Sequence, residues 1–239
     1  MSLNQDFKEC SRHGKYESKT TKLFNQIIQI GCPQCIEEAE RLESTKKANE
    51  DSERRISALQ GLGIGKRYYE STFDSFIVNQ ENKEVFEICK KYADNQDKYR
   101  NGNCLLMIGK VGTGKTHLAV SILLSEYDKR VKYISVMRMI REIRSTYRSV
   151  GNEQAEINRF IDYDLLILDE LGVQLGTESE RILIFEVING RYDSMKPTVF
   201  ISNLNLKSLT EYTGERVIDR IRQGGQIAVF NWDSYRGKK

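Results

Sequence analysis

The chain has 239 residues, 39% of them hydrophobic and 30% charged, with a formal net charge of +3. That length accommodates one substantial domain and a small appendage, and the composition is ordinary for a globular protein. No apolar run approaches the ~20 residues of a bilayer span and the N-terminus lacks a signal peptide's apolar stretch, so a cytoplasmic protein with no membrane association is expected, and the weak net charge does not on its own imply a nucleic-acid partner.

Residues 1–35 hold three of the five cysteines. Cys10-x-x-His13 is followed, eighteen residues later, by Cys32-Pro-Gln-Cys35. Two short turns that each present two soft ligands are what tetrahedral Zn²⁺ requires, and Gly14 and Gly31 beside the pairs permit tight turns. With all four positions filled by protein the zinc would be structural, and in so short a segment it would supply much of the folding free energy. Cys89 and Cys104 each lie alone in apolar patterns and read as core.

Residues 36–65 read as a charged linker. The stretch "IEEAERLESTKKANEDSERRISA" (36–58) has sparse apolar marks at Ile36, Ala39, Leu42 and Ile56, which predicts an exposed helix acting as a semi-rigid spacer. "GLGIGKRYYE" (61–70) then breaks it. From residue 66 to 239 short apolar runs alternate with helical patterns, the signature of an α/β sheet flanked by helices. Strands are predicted at 104–108, 132–136, 165–168, 198–201 and 227–230, apolar on both faces as central parallel strands are.

Gly109-Lys110-Val111-Gly112-Thr113-Gly114-Lys115-Thr116 matches the phosphate-binding loop G-x-x-x-x-G-K-[ST] in full, between the first of these strands and a helical pattern. The glycines let successive backbone N–H groups face the phosphates of ATP, Lys115 reaches the β- and γ-phosphates, and the Thr116 hydroxyl ligates Mg²⁺. His117 follows directly and borders the nucleotide, although a packing or helix-surface role suits it better. After the second strand, Arg138, Arg141, Arg144 and Arg148 recur every three or four residues beside an apolar row of Val136, Ile140, Ile143 and Tyr147. Such a basic helix face suits a single-stranded DNA backbone, with Tyr133 or Tyr147 available for base stacking. "YDLLILDELG" ends a third strand in Asp169 and Glu170. Asp169 would hold the magnesium and Glu170 would polarise the attacking water, a pair that favours hydrolysis over transfer to a small acceptor. "PTVFISNLN" places Ser202 and Asn203 at the end of the next strand, within reach of the γ-phosphate or the water.

The order GKVGTGKT, LLILDE, VFISNL, "GERVIDRIRQGG" and "FNWDSYRG" resembles the AAA+ ATPases of the DnaC helicase-loader group over roughly residues 66–239. The resemblance implies a P-loop AAA+ core with a five-stranded parallel sheet and a minimal C-terminal lid, since only about 35 residues follow Asn203. It implies an ATP-dependent loader of a hexameric, DnaB-like replicative helicase onto single-stranded DNA, with the N-terminal module docking on the helicase. It also implies self-association in an ATP-dependent oligomer, in which Arg220 (with Arg216 as the alternative) reaches the nucleotide of a neighbouring subunit in trans. Arg236 would sense the nucleotide from the C-terminal side, and Tyr68, Tyr69, Phe73 and Phe76 would flank the adenine or pack beneath the sheet. A similar core occurs in IstB-like helper ATPases of DNA transposases, the alternative reading.

Overall fold

The computed structural model describes residues 7–18, 20–23, 26–29, 31–126, 129–146, 152–173 and 177–236. The chain divides into two compact units, Met1–Ser57 and Ala58–Lys239.

In the first unit β1 (Phe7–Cys10) and β2 (Gly14–Glu17) form an antiparallel hairpin, and β3 (Thr20–Leu23) and β4 (Gln26–Gln29) form a second. Helix α1 (Pro33–Gly61) follows. Proline suits its first position, where the missing N–H costs nothing and the fixed φ already matches a helix. Through residues 37–54 α1 presents almost wholly exposed polar residues. Glu37/Arg41, Glu43/Lys47 and Glu50/Arg54 are acid-before-base pairs four residues apart, each contributing roughly 0.2–0.5 kcal/mol of helix stability.

The second unit is a three-layer α/β/α fold. Its elements are the 3₁₀ turn Lys66–Tyr68, α2 (Lys83–Asp94), α3 (Lys98–Asn101), β5 (Cys104–Gly109), α4 (Lys115–Leu124), β6 (Val131–Ser135), α5 (Val136–Ser145), α6 (Asn152–Ile161), β7 (Leu165–Asp169), α7 (Glu178–Asp193), β8 (Thr198–Ser202), α8 (Leu206–Thr213), α9 (Glu215–Gln223) and β9 (Gly225–Phe230). The five strands are parallel, in the order β6-β7-β8-β5-β9. All five lie where the sequence places strands. β6 is set one residue earlier than expected, because Val136 opens α5, whose N-cap is Ser135, the last residue of the strand, accepting the N–H of Arg138.

Alternation along the strands sorts their side chains between two cores. Leu105, Met107, Leu165, Ile167, Val199 and Ile201 face α2 and α4, whereas Leu106, Ile108, Leu166, Leu168 and Phe200 face α5, α6, α7 and α9. Each such fully buried side chain contributes about 1.5–3 kcal/mol relative to exposure. The strand order puts β8 between β5 and β7, so the phosphate loop, Asn203 and the acidic pair all emerge along one edge of the sheet, the carboxyl ends of the strands.

Candidate nucleotide site and metal cluster

The loop joining β5 to α4 curls tightly because three of its glycines have positive φ. Two of them have no alternative. A Cβ on Gly109 (φ 136°) would strike the carbonyl oxygen of Phe230 on the neighbouring strand, and one on Gly112 (φ 81°) would strike the Ser234 hydroxyl. Lys115 lies across the mouth of this loop, donating from Nζ to the carbonyls of Gly109 (2.7 Å) and Lys110 (2.6 Å). Thr113 braces the loop through its hydroxyl to the Lys110 carbonyl at 2.8 Å.

A cavity of about 540 Å³ opens beside the loop, lined by Val111, Gly112, Gly114, Lys115, Thr116 and His117, by Asp169, Glu170 and Asn203, and by Arg236. Of the expected nucleotide residues, Gly109, Lys110 and Thr113 shape the loop from behind and are not part of this lining. Successive strand residues point to opposite faces, yet Asp169 and Glu170 both reach the cavity. Glu170 manages this by adopting a left-handed backbone (φ 60°), a conformation that costs a non-glycine residue on the order of 1–2 kcal/mol. Its N–H then donates to Asp169 Oδ1 at 2.6 Å, while Thr116 Oγ1 donates to Asp169 Oδ2 at 3.5 Å. An oxygen pair of hydroxyl and carboxylate in this arrangement suits Mg²⁺, which keeps several waters and takes few protein ligands.

Burial, opposed by the Asp169 charge and assisted by Arg236, lowers Lys115 to about 8. Nucleotide-free protein sheds this proton as pH rises through about 8, and triphosphate oxygens restore it. Calorimetry of nucleotide binding at pH 8.5 in buffers of different ionisation enthalpy should therefore register net proton uptake of about three-quarters per site, and at pH 7 about a tenth. Equal uptake at both pH values would contradict this account of Lys115.

Several contributors went unnoticed in the sequence. The 3₁₀ turn brings Arg67 to the cavity beside the expected Tyr68, and β6 brings Tyr133 and Ser135. Tyr133 is thus not part of a DNA-facing row, since its hydroxyl donates to Asp169 Oδ2. The C-terminal strap carries more than Arg236. The Trp232 indole N–H donates to the Thr113 carbonyl (3.1 Å), the Tyr235 N–H donates to the Gly112 carbonyl (2.9 Å), and the Tyr235 hydroxyl accepts from Asn79 and Asn82. The order W-D-S-Y after a buried strand was the available signal. Ser202, offered as a site residue beside Asn203, is fully buried and donates to the Leu171 carbonyl at 2.6 Å, so it holds the turn.

Among the expected adenine-flanking aromatics only Tyr68 lines this cavity. Tyr69 and Phe73 pack against the core, and Phe76 stacks on Phe86 with centroids 5.8 Å apart while facing His117 edge-on at 5.3 Å. His117 lines the cavity, but its Nε2 is engaged by the Thr72 carbonyl at 2.8 Å, which ties α4 to the segment ahead of α2.

The two candidate trans arginines on α9, Arg216 and Arg220, lie away from this cavity. Arg220 stacks over the Tyr192 ring (4.4 Å to the centroid) and donates from Nε to Asn189 Oδ1 at 3.3 Å; Arg216 is exposed. In the basic row, Arg138 pairs with Glu142 at 3.0 Å and Arg144 with Glu180 at 3.5 Å, Arg141 is exposed, and Arg148 and Tyr147 fall outside the described residues.

In the first unit, the ligand atoms of Cys10, His13, Cys32 and Cys35 all lie within 4.8 Å of one another. His13 Nδ1 is 3.8, 3.7 and 3.3 Å from the sulfurs of Cys10, Cys32 and Cys35, and the Cys10 and Cys35 sulfurs are 3.6 Å apart. A tetrahedron with arms of about 2.1–2.3 Å has edges near 3.5–3.8 Å, so the set fits zinc. The outer ring nitrogen of His13 meets Glu38 Oε1 at 3.1 Å, the carboxylate partner that orients a metal-bound histidine. Backbone N–H groups of Arg12 and His13 donate to Cys10 and hold its thiol near 6, on the thiolate side at neutral pH.

The family model for IstB-like ATP binding proteins matches residues 46–239. The chain belongs to the DnaC/IstB-like group of AAA+ ATP-binding proteins. It is 34% identical over 209 residues to the replicative helicase loader DnaC of Buchnera aphidicola subsp. Baizongia pistaciae, covering 84% of each chain. It is also 34% identical to DnaC of Escherichia coli K12, over 74% of this chain and 73% of that one. The crystal structure of a DnaC helicase loader superposes with a TM-score of 0.63 at 24% identity, covering 70% of this chain and 99% of that one. The replication initiator DnaA bound to AMPPCP and single-stranded DNA superposes at 0.61 with 26% identity, over 71% and 51% of the two chains. As a member of this AAA+ group the chain is a nucleotide-binding protein, and among its described residues no helix is long and apolar enough to cross a membrane.

Proposed function

We propose that this protein is a cytoplasmic ATPase that loads a hexameric, DnaB-like replicative helicase onto single-stranded DNA. The observation that carries the proposal is a complete nucleotide cavity, with Lys115, Asp169, Glu170 and Asn203 facing one another, in a chain that matches helicase loaders over most of its length. In this reading Lys115 and the loop amides hold the β- and γ-phosphates, Thr116 and Asp169 hold Mg²⁺, Glu170 polarises the attacking water, and Asn203 and Arg236 contact the triphosphate. The magnesium supplies charge neutralisation on the phosphate oxygens. The transposase-helper alternative draws on the name of the family model, but the relatives at 34% identity are helicase loaders.

Residues 1–35 form the zinc module that docks on the helicase, 36–65 the linker, and 66–239 the ATPase domain. Cys10, His13, Cys32 and Cys35 hold the zinc. Arg138, Arg141, Arg144 and Arg148 track the DNA backbone, with Arg141 contributing most because Arg138 and Arg144 already have acidic partners. Arg220 acts in trans within an oligomer. Its Nε bond to Asn189 and its seat on Tyr192 set the guanidinium plane, and among the described residues neither Nη is bonded. That leaves a preset fork for a neighbour's γ-phosphate.

Two measurements test the proposal. Protein pulled from a bacterial lysate with ATP should retain a hexameric helicase, and with ADP release it. ATP turnover per protomer should rise with protein concentration and fall at least tenfold in Arg220→Ala. Turnover indifferent to dilution and to both Arg216→Ala and Arg220→Ala would remove the trans arginine from the mechanism.

A further inference from the structure

The parallel register of β6 and β7 sets Tyr133 beside Ile167 and Ser135 beside Asp169. Residues two apart on a strand share a face, so Tyr133 and Ser135 both look into the nucleotide cavity. The Tyr133 hydroxyl donates to Asp169 Oδ2, the oxygen that also accepts from Thr116 Oγ1 at 3.5 Å. On the other side, Oδ1 accepts the Glu170 N–H at 2.6 Å. A carboxylate at a strand end otherwise turns freely about its last torsion, which is broad and nearly two-fold. In this protein each oxygen is pinned by a donor of its own.

We propose that Tyr133 is a positioning residue for the cation site: its hydroxyl locks the Asp169 carboxylate with Oδ2 beside Thr116, and so sets how tightly the site takes a divalent cation rather than how tightly it takes the nucleotide. The inference rests on the reading of Thr116 and Asp169 as the magnesium residues. Removing an outer hydrogen-bond partner of a ligating group costs roughly 10–100-fold in metal affinity, because the ligand must then be ordered at the moment of binding. A buried aromatic that only filled space would need no hydroxyl, and Tyr133→Phe keeps the ring and its packing against the core.

The test titrates Mg²⁺ against the full-length protein holding a fluorescent, non-hydrolysable ATP analogue, and repeats the nucleotide titration in EDTA. For Tyr133→Phe the half-saturating Mg²⁺ should rise about tenfold, while nucleotide affinity in EDTA stays at its wild-type value. Adding Tyr133→Phe to Asp169→Asn should then shift the Mg²⁺ midpoint little further, since the two act as one unit. An unchanged Mg²⁺ midpoint in Tyr133→Phe overturns the proposal, as does an equal loss of affinity in EDTA, which would mark a merely structural role. A wild-type protein whose nucleotide affinity ignores Mg²⁺ overturns the underlying assignment of Thr116 and Asp169 instead.

Discussion

Glu170→Gln should bind ATP with near wild-type affinity and hydrolyse it about 10²–10⁴-fold more slowly, the range that a positioned general base contributes. Glutamine has the shape of glutamate, places the same demand on the left-handed backbone at this position (φ 60°), and keeps the N–H that donates to Asp169 Oδ1. Only the capacity to take a proton from water is lost. The contrasting change, Asp169→Asn, removes charge from the oxygen that meets Thr116 and Tyr133, and should weaken Mg²⁺-dependent binding as well as turnover. If the loader proposal holds, the Glu170→Gln protein also stays on its helicase in ATP, because release then waits for hydrolysis. Steady-state turnover beside nucleotide affinity decides the matter: Glu170→Gln turnover within a few-fold of wild type would mean that another group activates the water.

What could be read in the sequence was local. Gly109 to Thr116 work through their own backbone and spacing, so the loop was legible, and so were the two short ligand turns of Cys10/His13 and Cys32/Cys35. The strands were legible because runs such as Leu165–Leu168 are apolar at every position and too short to be helices. What escaped depends on lateral order. Tyr133 meets Asp169 only because β6 lies beside β7 in a particular register, and no periodicity along β6 announces that. Trp232 reaches Thr113 across 119 residues of chain. Arg138, Arg141 and Arg144 were correctly placed on a helix, yet Arg144 pairs with Glu180, which α7 supplies from outside that helix. Spacing identifies a face; it does not say what packs against it.

Arg191 carries the second large expectation, and nothing in its local sequence distinguishes it from a surface arginine. It is 1% exposed and lies near the end of α7. Its guanidinium donates to the carbonyls of Phe160, Ile161 and Tyr163 from Nη1, to the Pro197 carbonyl from Nη2, and to Thr198 Oγ1 from Nε, at 2.7–2.9 Å. These acceptors belong to the end of α6, the turn that leads into β7 and the start of β8, so one side chain fixes where the acidic strand and its neighbour begin. Arg191→Met keeps an unbranched side chain but leaves all five acceptors without this donor. A hydrogen bond to a charged group contributes about 1.5–3 kcal/mol, and a buried acceptor left unpaired costs about 1–3 kcal/mol. A net loss of at least about 3 kcal/mol is therefore expected, or about 6–12 °C in melting temperature for a domain of this size. Arg191→Lys should recover little of it, because a single ammonium cannot serve acceptors arranged around a planar fork. Burial lowers Arg191 to about 10, so below that pH the side chain is charged in both the folded and unfolded states. Stability contributed by this group is then constant with pH, rising only as pH climbs from about 10 toward the ordinary arginine value, where the unfolded chain alone retains the proton. The loss in Arg191→Met should accordingly be the same at pH 6 and pH 9 in urea titrations, and a melting temperature within about 2 °C of wild type would show that the bonds around this guanidinium are replaceable.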